Sequence, residues 1–578
     1  MDSCIIALDI GGTFLKSCLF TEEGTLIPDS FDREAVDSNG ELPEVKAAYQ
    51  RLALRLKEQA ERRGFFVSAL AADTPGPFDF KAAVSRMQHK YTALYGIPLR
   101  PWFQEILGEV PVCFLHDSSA FLAGAASAHP EIRNLAGVMI GTGLGFALIR
   151  DGELLQNESG GPARSIYRTP YRGLTAEDFV SGRGIRNRYN EISETPAFDA
   201  KEVADRALSG DSKALRVFEE TGEILAEVIA PILKEFGTEA LCLGGQISKS
   251  FALMEGGLRK GLKDVPSLRL VEAAEDLDLV HLKGVTQWYL KKKTYPMKLG
   301  AVLKDILWGG TKLGERYHKP AGKIAEAWEL SVHPEGTSTV ENGIFAGQSL
   351  SSVLGSTDFP VMIKLIDAED RLSIQVHPKK TEMWVILEAK PGAALVYGLK
   401  KPFDEETFRK ALADGTVEEL LNFVPVRPGD VFFIPQGLVH AIGAGILIAE
   451  IQENSNVTYR VYDYGRIKDG KPRELHVEAA MKTIRDFTEE EIRAKRFETG
   501  PEGPKTLADC PYFKVDRVSV DGLYEIPAHP GFTSVVCIRG EGTIGSEAIE
   551  QGDSFYLPEG LGAVGLKGRM EVLLTTFV

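Results

Sequence analysis

The hydrophobic pattern of this 578-residue chain changes character near residue 293. Before that point, short apolar runs such as CIIALDI and ALCLGG alternate with long helical patterns over 43–63 and 213–236, which predicts an α/β fold. After it, short apolar strands such as LSIQVHP and GILIAEIQ are separated by turn residues, which predicts a mainly β fold. The length also exceeds that of one ordinary domain. We therefore expect a multidomain protein, with one domain over 1–292 and another over 295–578.

One short unit occurs twice in the C-terminal half. VPVRPGDVFFIPQG and AIEQGDSFYLPEG each contain a Gly-Asp turn, an apolar strand that ends in proline, and a glycine turn. This repeat predicts two related β-barrels in tandem, of the double-stranded jelly-roll type, over about 295–485 and 505–578. A helical pattern over about 403–422 predicts a small helical insert in the first barrel.

The charge and composition of the chain restrict the cellular compartment and the kinds of partner that we expect. The net charge of −16 argues against nucleic acid or an anionic membrane as the main partner. The chain begins MDSCIIALDIGG, without the features of a signal peptide, and no apolar stretch approaches the roughly 20 residues of a membrane helix. The six cysteines are scattered, without a C-x-x-C pair, which favours reduced thiols. We therefore expect a cytoplasmic protein that acts on small molecules.

Four residues of the C-terminal half form a candidate metal site. Gln375 and His377 in LSIQVHP stand at positions i and i+2 of a predicted strand, so both side chains face one barrel interior. Glu382 follows in KKTEMWVI, and His440 follows the turn IPQG. Two imidazoles, a carboxylate and an amide oxygen form a nitrogen and oxygen set suited to zinc. The alternative is that His377 and His440 are separate structural histidines.

Several strings in this half occur in a characteristic order: WGGTKL, WELSVHPEG, LSIQVHP, KTEMW, IPQGLVHAI, AEIQENSNVTYRVYD and RELH. In this order they resemble the type I mannose-6-phosphate isomerases, enzymes built from tandem cupin barrels. The resemblance covers nearly all of residues 295–578 and implies interconversion of mannose 6-phosphate and fructose 6-phosphate. It also implies Zn²⁺ bound by Gln375, His377, Glu382 and His440. Lys380, Glu450 and Arg460 match family positions around the substrate.

The residue types suit that reaction. Glu450 is a candidate proton carrier, with a structural pairing to Arg460 as the alternative. Lys380 and Arg460 supply positive charge near a phosphate or an enediolate, with a solvated loop position as the alternative for Lys380. The chain departs from the family in one place, because only Lys379 and Lys380 separate Pro378 from Thr381. We expect a tight turn there, beside the metal site.

Three glycine-rich turns mark the N-terminal half: IIALDIGGTFLK, VMIGTGLGFALIRDGEL and LCLGGQIS. Glycine lets backbone N–H groups approach phosphate oxygens, although a single such turn is equally typical of a hairpin. The ordered set resembles the ROK family of sugar kinases (repressors, open reading frames, kinases), which have a two-lobed, actin-like ATPase fold. The resemblance implies ATP and Mg²⁺ as cofactors, bound near Asp9, Gly11, Gly12, Thr13, Lys16, Gly141, Thr142, Gly143, Gly244 and Gly245.

The same resemblance implies a sugar site. Gly76 in DTPGPFD matches the sugar-side loop, and Asp117 in HDSSAFLAGA matches the catalytic aspartate, with helix N-capping as the alternative. His116 stands where the family usually has asparagine, and Glu177 is a candidate acceptor for a sugar hydroxyl. Pro162 replaces the usual sugar-binding histidine, and the family's cysteine-rich zinc motif is absent. The sequence therefore predicts a kinase without indicating its sugar.

Together the two halves predict a bifunctional enzyme. A hexose kinase makes a 6-phosphate, which the isomerase passes to fructose 6-phosphate; by this pathway logic the acceptor is mannose. Two alternatives stay open: a non-catalytic, sugar-sensing N-terminal domain, and a kinase specific for fructose or glucose. No helix-turn-helix segment precedes the first strand, which argues against DNA binding. The resemblance to actin-like sugar kinases also implies a homodimer.

Overall fold

The structure, a computed structural model, describes residues 2–88, 90–468, 470–487, 491, 495–496 and 503–577. Its chain separates into two units, Met1–Lys293 and Thr294–Val578. Within the described residues, every helix is too short or too polar to span a lipid bilayer. The last residue of the predicted second barrel, Val578, lies outside the described residues.

Two five-stranded sheets in the N-terminal unit share one strand order. In each sheet the first three strands along the chain form an antiparallel meander, and the fourth and fifth strands run parallel to the first. This duplicated 3-2-1-4-5 order is that of the two-lobed, actin-like ATPase fold. The first sheet has the order Asp32–Ala35, Phe14–Thr21, Asp2–Ile10, Phe65–Thr74, Val112–His116. The second has the order Glu153–Leu154, Leu144–Arg150, Leu135–Ile140, Ala240–Gly244, Leu270–Ala273.

Helices cover these sheets. The helical patterns predicted over 43–63 and 213–236 correspond to the helices Leu42–Arg62 and Ser212–Glu235. Asp211 begins the second of them, because its side chain accepts the N–H groups of Lys213 and Ala214. The remaining helices are Arg100–Leu107, Asp117–Ala126, Gly182–Ile192, Ala200–Leu208, Phe251–Leu262 and Val280–Lys292, with 3-10 turns at Thr92–Leu94, Ala176–Asp178 and Gln246–Ser250.

The helices Asp117–Ala126 and Val280–Lys292 cross at two glycines. A Cβ on Gly284 would lie 1.9 Å from the carbonyl oxygen of Ala120, and a Cβ on Gly124 would lie 1.9 Å from that of Val280. Any larger residue would therefore push the helices apart. The crossing fixes the position of the helix that begins at Asp117.

The C-terminal unit is mainly β and contains two barrels. The first consists of a seven-stranded and a five-stranded sheet, whose side chains share one apolar core. Its larger sheet has the order Val302–Lys304, Glu326–Leu330, Val361–Ala368, Ile446–Glu453, Glu382–Ala389, Asp430–Ile434, Lys495–Arg496. Its smaller sheet has the order Leu421–Pro425, Ala394–Leu399, His440–Ala441, Ile374–Val376, Tyr459–Tyr462.

The second barrel contains an eight-stranded sheet. Seven strands follow the order Thr339–Val340, Met297–Gly300, Ser554–Leu557, Thr533–Ile544, Val564–Thr576, Lys514–Ile526, Gly503–Asp509, and Glu547–Glu550 pairs with Thr533–Ile544. This pairing differs from the predicted boundary, which assigned Met297–Gly300 to the first barrel. Chain order placed that segment with its neighbours, whereas its hydrogen-bonding partner is a strand near the C-terminus.

The repeated Gly-Asp unit has the same local structure in both barrels. Gly429 and Gly552 have φ angles of 92° and 94°, which only glycine adopts readily. The next residue in each copy accepts a backbone N–H three positions earlier: Asp430 from Arg427 at 2.9 Å and Asp553 from Glu550 at 3.0 Å. This shared turn starts the strands Asp430–Ile434 and Ser554–Leu557.

The insert predicted over about 403–422 contains the helix Glu405–Asp414 and the 3-10 turn Val417–Leu420. Asp404 caps the helix start and Gly415, with a φ of 72°, ends it. The other short helices of this unit are Lys312–Arg316, Leu350–Leu354 and Val477–Met481, with a 3-10 turn at Gly343–Phe345.

Candidate active sites

The first glycine-rich turn of the N-terminal unit connects the strands Asp2–Ile10 and Phe14–Thr21. The Gly11 N–H donates to the carbonyl oxygen of Phe14 at 3.1 Å, and a Cβ on Gly11 would lie 2.8 Å from that oxygen. The Lys16 ammonium lies 2.9 Å from Asp278 and 3.8 Å from Asp9. The turn and its flanks contain the predicted phosphate-binding residues Asp9, Gly11, Gly12, Thr13 and Lys16.

The second turn connects Leu135–Ile140 to Leu144–Arg150 and contains Gly141, Thr142 and Gly143. Glu177, predicted to accept a sugar hydroxyl, lies against this turn. One of its carboxylate oxygens accepts the Leu144 N–H at 3.0 Å, and the same oxygen is 3.0 Å from the position of a Cβ on Gly143. The structure thus places Glu177 beside a predicted phosphate turn.

The third turn follows the strand Ala240–Gly244. A Cβ on Gly244 would lie 2.3 Å from the ring of Phe121, and a Cβ on Gly245 would lie 2.4 Å from the carbonyl oxygen of Ile140. Gly245 also has a φ of 80°. Packing alone therefore requires both glycines, whether or not the turn binds a nucleotide.

Asp117 lies where these elements meet. Its carboxylate oxygen Oδ1 is 2.8 Å from Nδ1 of His116 and accepts the Ser118 N–H at 2.6 Å. Burial opposes ionisation of Asp117, but the charge and hydrogen bond of His116 lower its pKa below the ordinary value. The N-cap residue of this helix is His116, and its Nδ1 lies 3.2 Å from the Ser118 nitrogen. When Nδ1 is protonated and donates to Asp117, the Ser118 N–H has Oδ1 of Asp117 as its acceptor.

Two of the three predicted sugar-side residues, Gly76 and His116, lie together, whereas Glu177 contacts the second glycine-rich turn. A Cβ on Gly76 would be 3.2 Å from Nε2 of His116, and the ring of His116 lies 5.8 Å from that of Phe80. Gly160, in the turn before Pro162, has a φ of 87° and approaches the same phenylalanine. Phe80 and Gly160 thus join Gly76 and His116 on one side of Asp117.

Two buried groups near Asp117 were missed by the sequence analysis. Asp73 is fully buried and His281 is 7% exposed, and together with Asp9 they offer ligand atoms that all lie within 4.8 Å of one another. One signal in the sequence could have indicated Asp73, since it follows the apolar run SALAA, which lies in the strand Phe65–Thr74. The sequence gave no signal for His281, because a histidine in a helix is most often structural.

The four predicted metal ligands of the C-terminal unit converge in the first barrel. Nε2 of His440 lies 3.2 Å from Nε2 of His377, and the amide nitrogen of Gln375 lies 3.3 Å from the same atom. The oxygens of Glu382 lie 3.5 Å from Nε2 of His377 and 3.4 Å from Nε2 of His440. Ligands about 2.0–2.1 Å from a tetrahedral zinc ion are separated by roughly 3.3–3.4 Å, so the atoms of His377, Glu382 and His440 fit one cation, and a flip of the Gln375 amide would present its oxygen as the fourth ligand.

Strand pairing explains this convergence. Gln375 is the direct partner of His440 on one neighbouring strand, and Glu382 begins the strand Glu382–Ala389 of the facing sheet. Glu382 is completely buried, and its oxygens form no hydrogen bond of good geometry. The Lys380 ammonium, 2.7 Å away, compensates this charge, and the carboxylate oxygens and the two imidazoles together offer ligand atoms that lie within 4.8 Å of one another.

Both histidines are held in the form that binds metals. Nδ1 of His377 donates to the carbonyl oxygen of Val457 at 3.0 Å, and Nδ1 of His440 donates to that of Leu438 at 2.8 Å, which leaves each Nε2 with a free lone pair. Burial lowers the pKa of both, that of His440 to about 3, so the rings are neutral at pH 7. Burial opposes ionisation of Glu382, but Lys380 holds its pKa well below the usual value.

The short connection beside this cluster is a tight turn. The chain bends at Pro378 and Lys379, and Lys380 points inward rather than into solvent. The Lys380 ammonium lies 2.7 Å from Glu382 and donates to Gln452 at 3.2 Å. Lys380 is only 4% exposed, so the alternative of a solvated loop lysine is wrong.

Glu450 lies deeper in the same barrel, directly across from Trp384 and Lys364 on the neighbouring strands. It accepts the Trp384 indole N–H at 2.9 Å, and its other oxygen is 3.2 Å from the Lys364 ammonium. Burial and the charge of Glu382 raise its pKa. The alternative pairing of Glu450 with Arg460 is wrong, because its cationic partner is Lys364. The sequence signal for Lys364 was a single charge within the apolar strand VMIKLIDA.

Arg460 lies at the edge of the cluster. It is the direct strand partner of Gln375, and its guanidinium donates to Ser373 at 3.3 Å and to the carbonyl oxygen of Glu474 at 2.8 Å. Burial and the charge of Arg473 lower its pKa from the ordinary arginine value. The guanidinium thus stands, half-buried, beside the ligands.

Comparison with known proteins agrees with this division. The profile of the ROK family matches residues 5–275. The profiles of the phosphomannose isomerase type I catalytic domain and the mannose-6-phosphate isomerase cupin domain match residues 297–394 and 504–576. A mannose-6-phosphate isomerase of Bacillus subtilis (strain 168) is 35% identical over 313 residues, covering 49% of this chain and 99% of that protein. The chain belongs to the type I phosphomannose isomerase family. Its N-terminal unit carries a ROK-family domain.

Relatives of the ROK domain are more distant than those of the isomerase unit. A glucokinase of Thermotoga maritima is 23% identical over 287 residues, covering 45% of this chain and 87% of that protein. An N-acetylmannosamine kinase of Citrobacter koseri is 24% identical over 256 residues, covering 42% and 83%. These relatives are named for different sugars, so the comparison does not select one.

Proposed function

We propose that this chain is a bifunctional sugar enzyme. The isomerase unit interconverts mannose 6-phosphate and fructose 6-phosphate with zinc, and the ROK domain transfers phosphate from ATP to the 6-hydroxyl of a hexose. The observation that supports the isomerase activity is the convergence of four side chains on one point: Gln375, His377, Glu382 and His440. The position of Asp117 beside the glycine-rich turns and the Gly76 loop supports the second.

The donor set of the isomerase unit suits zinc, with two neutral imidazoles, one carboxylate and one amide oxygen. Bound zinc supplies Lewis-acid polarisation of the sugar oxygens at C1 and C2. The chain's own residues then order the substrate. Lys380, paired with Glu382 inside the barrel, and Arg460 supply two positive charges near the ligand cluster, where an enediolate or a phosphate gains charge-assisted hydrogen bonds.

Glu450 is the candidate proton carrier between C1 and C2. Its raised pKa supports this role, because a carboxylate transfers protons best when its pKa approaches the working pH. Its contacts with Trp384 and Lys364 support the alternative, in which the carboxylate holds the barrel wall. The variant Glu450→Gln separates the two: a proton carrier loses kcat with little change in KM, whereas a wall residue loses thermal stability first.

In the ROK domain, Asp117 is the candidate base that takes the proton of the 6-hydroxyl. His116 orients it through the 2.8 Å contact, and the lowered pKa keeps the carboxylate ionised at neutral pH, although it also makes Asp117 a weak base. ATP supplies the phosphoryl group, and the Mg²⁺ bound to it neutralises part of the charge on the phosphates. The glycine-rich turns around Gly11 and Gly143 are the candidate binding segments for the phosphates of ATP.

We assign mannose as the sugar that the ROK domain phosphorylates. The reason is that its product, mannose 6-phosphate, would be the substrate of the isomerase unit on the same chain. The ring of His116, packed between Gly76 and Phe80, occupies the site where the family usually has asparagine. We therefore expect sugar recognition to differ from that of ROK glucokinases.

A coupled assay tests both activities in one preparation. Purified full-length protein with ATP and Mg²⁺ is given mannose, glucose, fructose and N-acetylmannosamine, and ADP release is followed. Mannose is expected to give the highest kcat/KM. Robust isomerase activity without ADP release from any hexose would instead make the ROK domain a non-catalytic sugar sensor. Metal analysis and chelation test the zinc assignment, since an isomerase that keeps full activity after zinc removal contradicts it.

A further inference from the structure

The carboxylates of Asp9 and Asp73 face each other at the ends of two parallel strands. These residues are direct partners in the pairing of Asp2–Ile10 with Phe65–Thr74. His281, from the helix Val280–Lys292, approaches them from the glycine crossing, where its ring contacts that of Phe121. The three side chains offer ligand atoms that all lie within 4.8 Å of one another. We call this group the acidic pocket.

Two members of the acidic pocket are buried without a hydrogen-bonding partner. Both carboxylate oxygens of Asp73 and Nδ1 of His281 form no hydrogen bond within the described part of the chain. The distance from Nδ1 of His281 to Asp73 is 3.7 Å, too long for a hydrogen bond. Because an uncompensated buried charge costs several kcal/mol, roughly, native proteins pair such groups or use them to coordinate a metal.

Charges around the pocket also favour a cation. The carboxylates of Asp9, Asp73 and Asp117 all act electrostatically on His281. The carboxylates of Asp9 and Asp117 also act electrostatically on Asp73, so negative charge is concentrated at the pocket. Lys16 compensates little of it, because its ammonium is 3.8 Å from Asp9 and forms its shorter contact, 2.9 Å, with Asp278.

We propose that Asp9, Asp73 and His281 bind a divalent transition-metal ion, a second metal site distinct from that of the isomerase unit. The imidazole ligand favours Zn²⁺ over Mg²⁺, and the two carboxylates also suit Mn²⁺. Small side-chain rotations bring ligand atoms within 4.8 Å to the bonding distance of one ion. The ion would lie beside Asp117 and the first glycine-rich turn, where anionic phosphates are expected.

Metal stoichiometry of the full-length chain tests this site without reference to kinase activity. Protein stripped with chelator is reloaded with Zn²⁺, gel-filtered and analysed for metal. The wild-type chain is expected to hold two equivalents, and Asp73→Asn and His281→Gln one each. The control His129→Gln, which removes another partly buried histidine 2.6 Å from a carboxylate of Glu272, is expected to retain two.

A second series separates this proposal from the zinc assignment of the isomerase unit. In the His440→Ala background, the chain is expected to hold one equivalent, and adding His281→Gln is expected to remove it. Mn²⁺ is also expected to raise the melting temperature of the His440→Ala chain but not that of the double variant. If the His440→Ala chain binds neither Zn²⁺ nor Mn²⁺, or if its metal survives both His281→Gln and Asp73→Asn, the proposal is overturned and Asp73 and His281 are a buried ion pair.

Discussion

Replacing Lys364 by methionine should destabilise the isomerase unit far more than loss of a surface lysine. Lys364 is 5% exposed, and its ammonium lies 3.2 Å from Glu450 and 3.7 Å from Glu326. Methionine fills a similar volume without the charge, so the variant leaves two carboxylates with no cation between them. Removing one partner of a buried ion pair costs about 3–5 kcal/mol. For a unit of this size, that loss lowers the melting temperature by on the order of 10 °C.

The loss should depend on pH in a defined direction. Burial and Glu382 already raise the folded-state pKa of Glu450, and removal of Lys364 raises it further. A carboxyl group with a raised folded-state pKa stabilises the fold only when protonated. The deficit of Lys364→Met relative to wild type is therefore small below the unfolded pKa of about 4.3 and grows as the pH rises through the folded-state pKa of Glu450.

Scanning calorimetry of the full-length variants between pH 5 and pH 8 measures this effect. The matched control is Lys390→Met, since Lys390 pairs with Glu369 at 2.6 Å but both side chains are about half exposed. Its loss should cost less than about 1 kcal/mol. Lys364→Met/Glu450→Gln should recover part of the deficit, because the uncompensated charge is gone. A deficit that is equal at both pH values, or a double variant no more stable than Lys364→Met, would refute the reasoning.

Three further outcomes are expected. Asp117→Asn should lower hexose-dependent ADP release at least 100-fold and leave isomerase activity within twofold of wild type; parallel loss of both activities would contradict the separation of the two sites. His440→Ala should remove the metal of the isomerase unit and its activity, measured by metal analysis and by fructose 6-phosphate formation, while ADP release persists. Gly284→Ala should destabilise the N-terminal unit by about 1–3 kcal/mol, because its Cβ would meet the carbonyl oxygen of Ala120; an unchanged calorimetric transition there would show that the helices separate freely.

A feature could be predicted from the sequence where the residues that form it are close to one another along the chain. The Gly-Asp repeat predicted two barrels because both copies require the same glycine conformation and the same aspartate contact within three residues. Gln375 and His377 were grouped by strand alternation, and the structure brings them together with Glu382 and His440. Asp117 was found from the family resemblance of HDSSAFLAGA, and the structure places it at the start of a helix directly after a buried strand.

Sequence was insufficient where a partner lies on a distant strand or helix. The neighbours of Lys364 and of Asp73 depend on the register between strands and on a helix crossing, which no local pattern encodes. The pairing of Met297–Gly300 with Ser554–Leu557 joins the two ends of the isomerase unit and has the same cause. Glu450 was identified as a site residue from the family resemblance, and the alternative of a structural pairing with Arg460 is wrong because Lys364 is its cationic partner.

The contact between Gly124 and Gly284 limits how the ROK domain can be redesigned. Where two backbones touch, the separation of the helices is set by the radii of main-chain atoms, and no change of rotamer can adjust it. These two helices contain Asp117 and His281, so the contact between the helix backbones sets the distance between the two residues. Variants that aim at a new acceptor sugar should therefore alter the loops around Phe80 and leave this crossing unchanged, because a misplacement of about 1 Å can cost roughly 100-fold in rate.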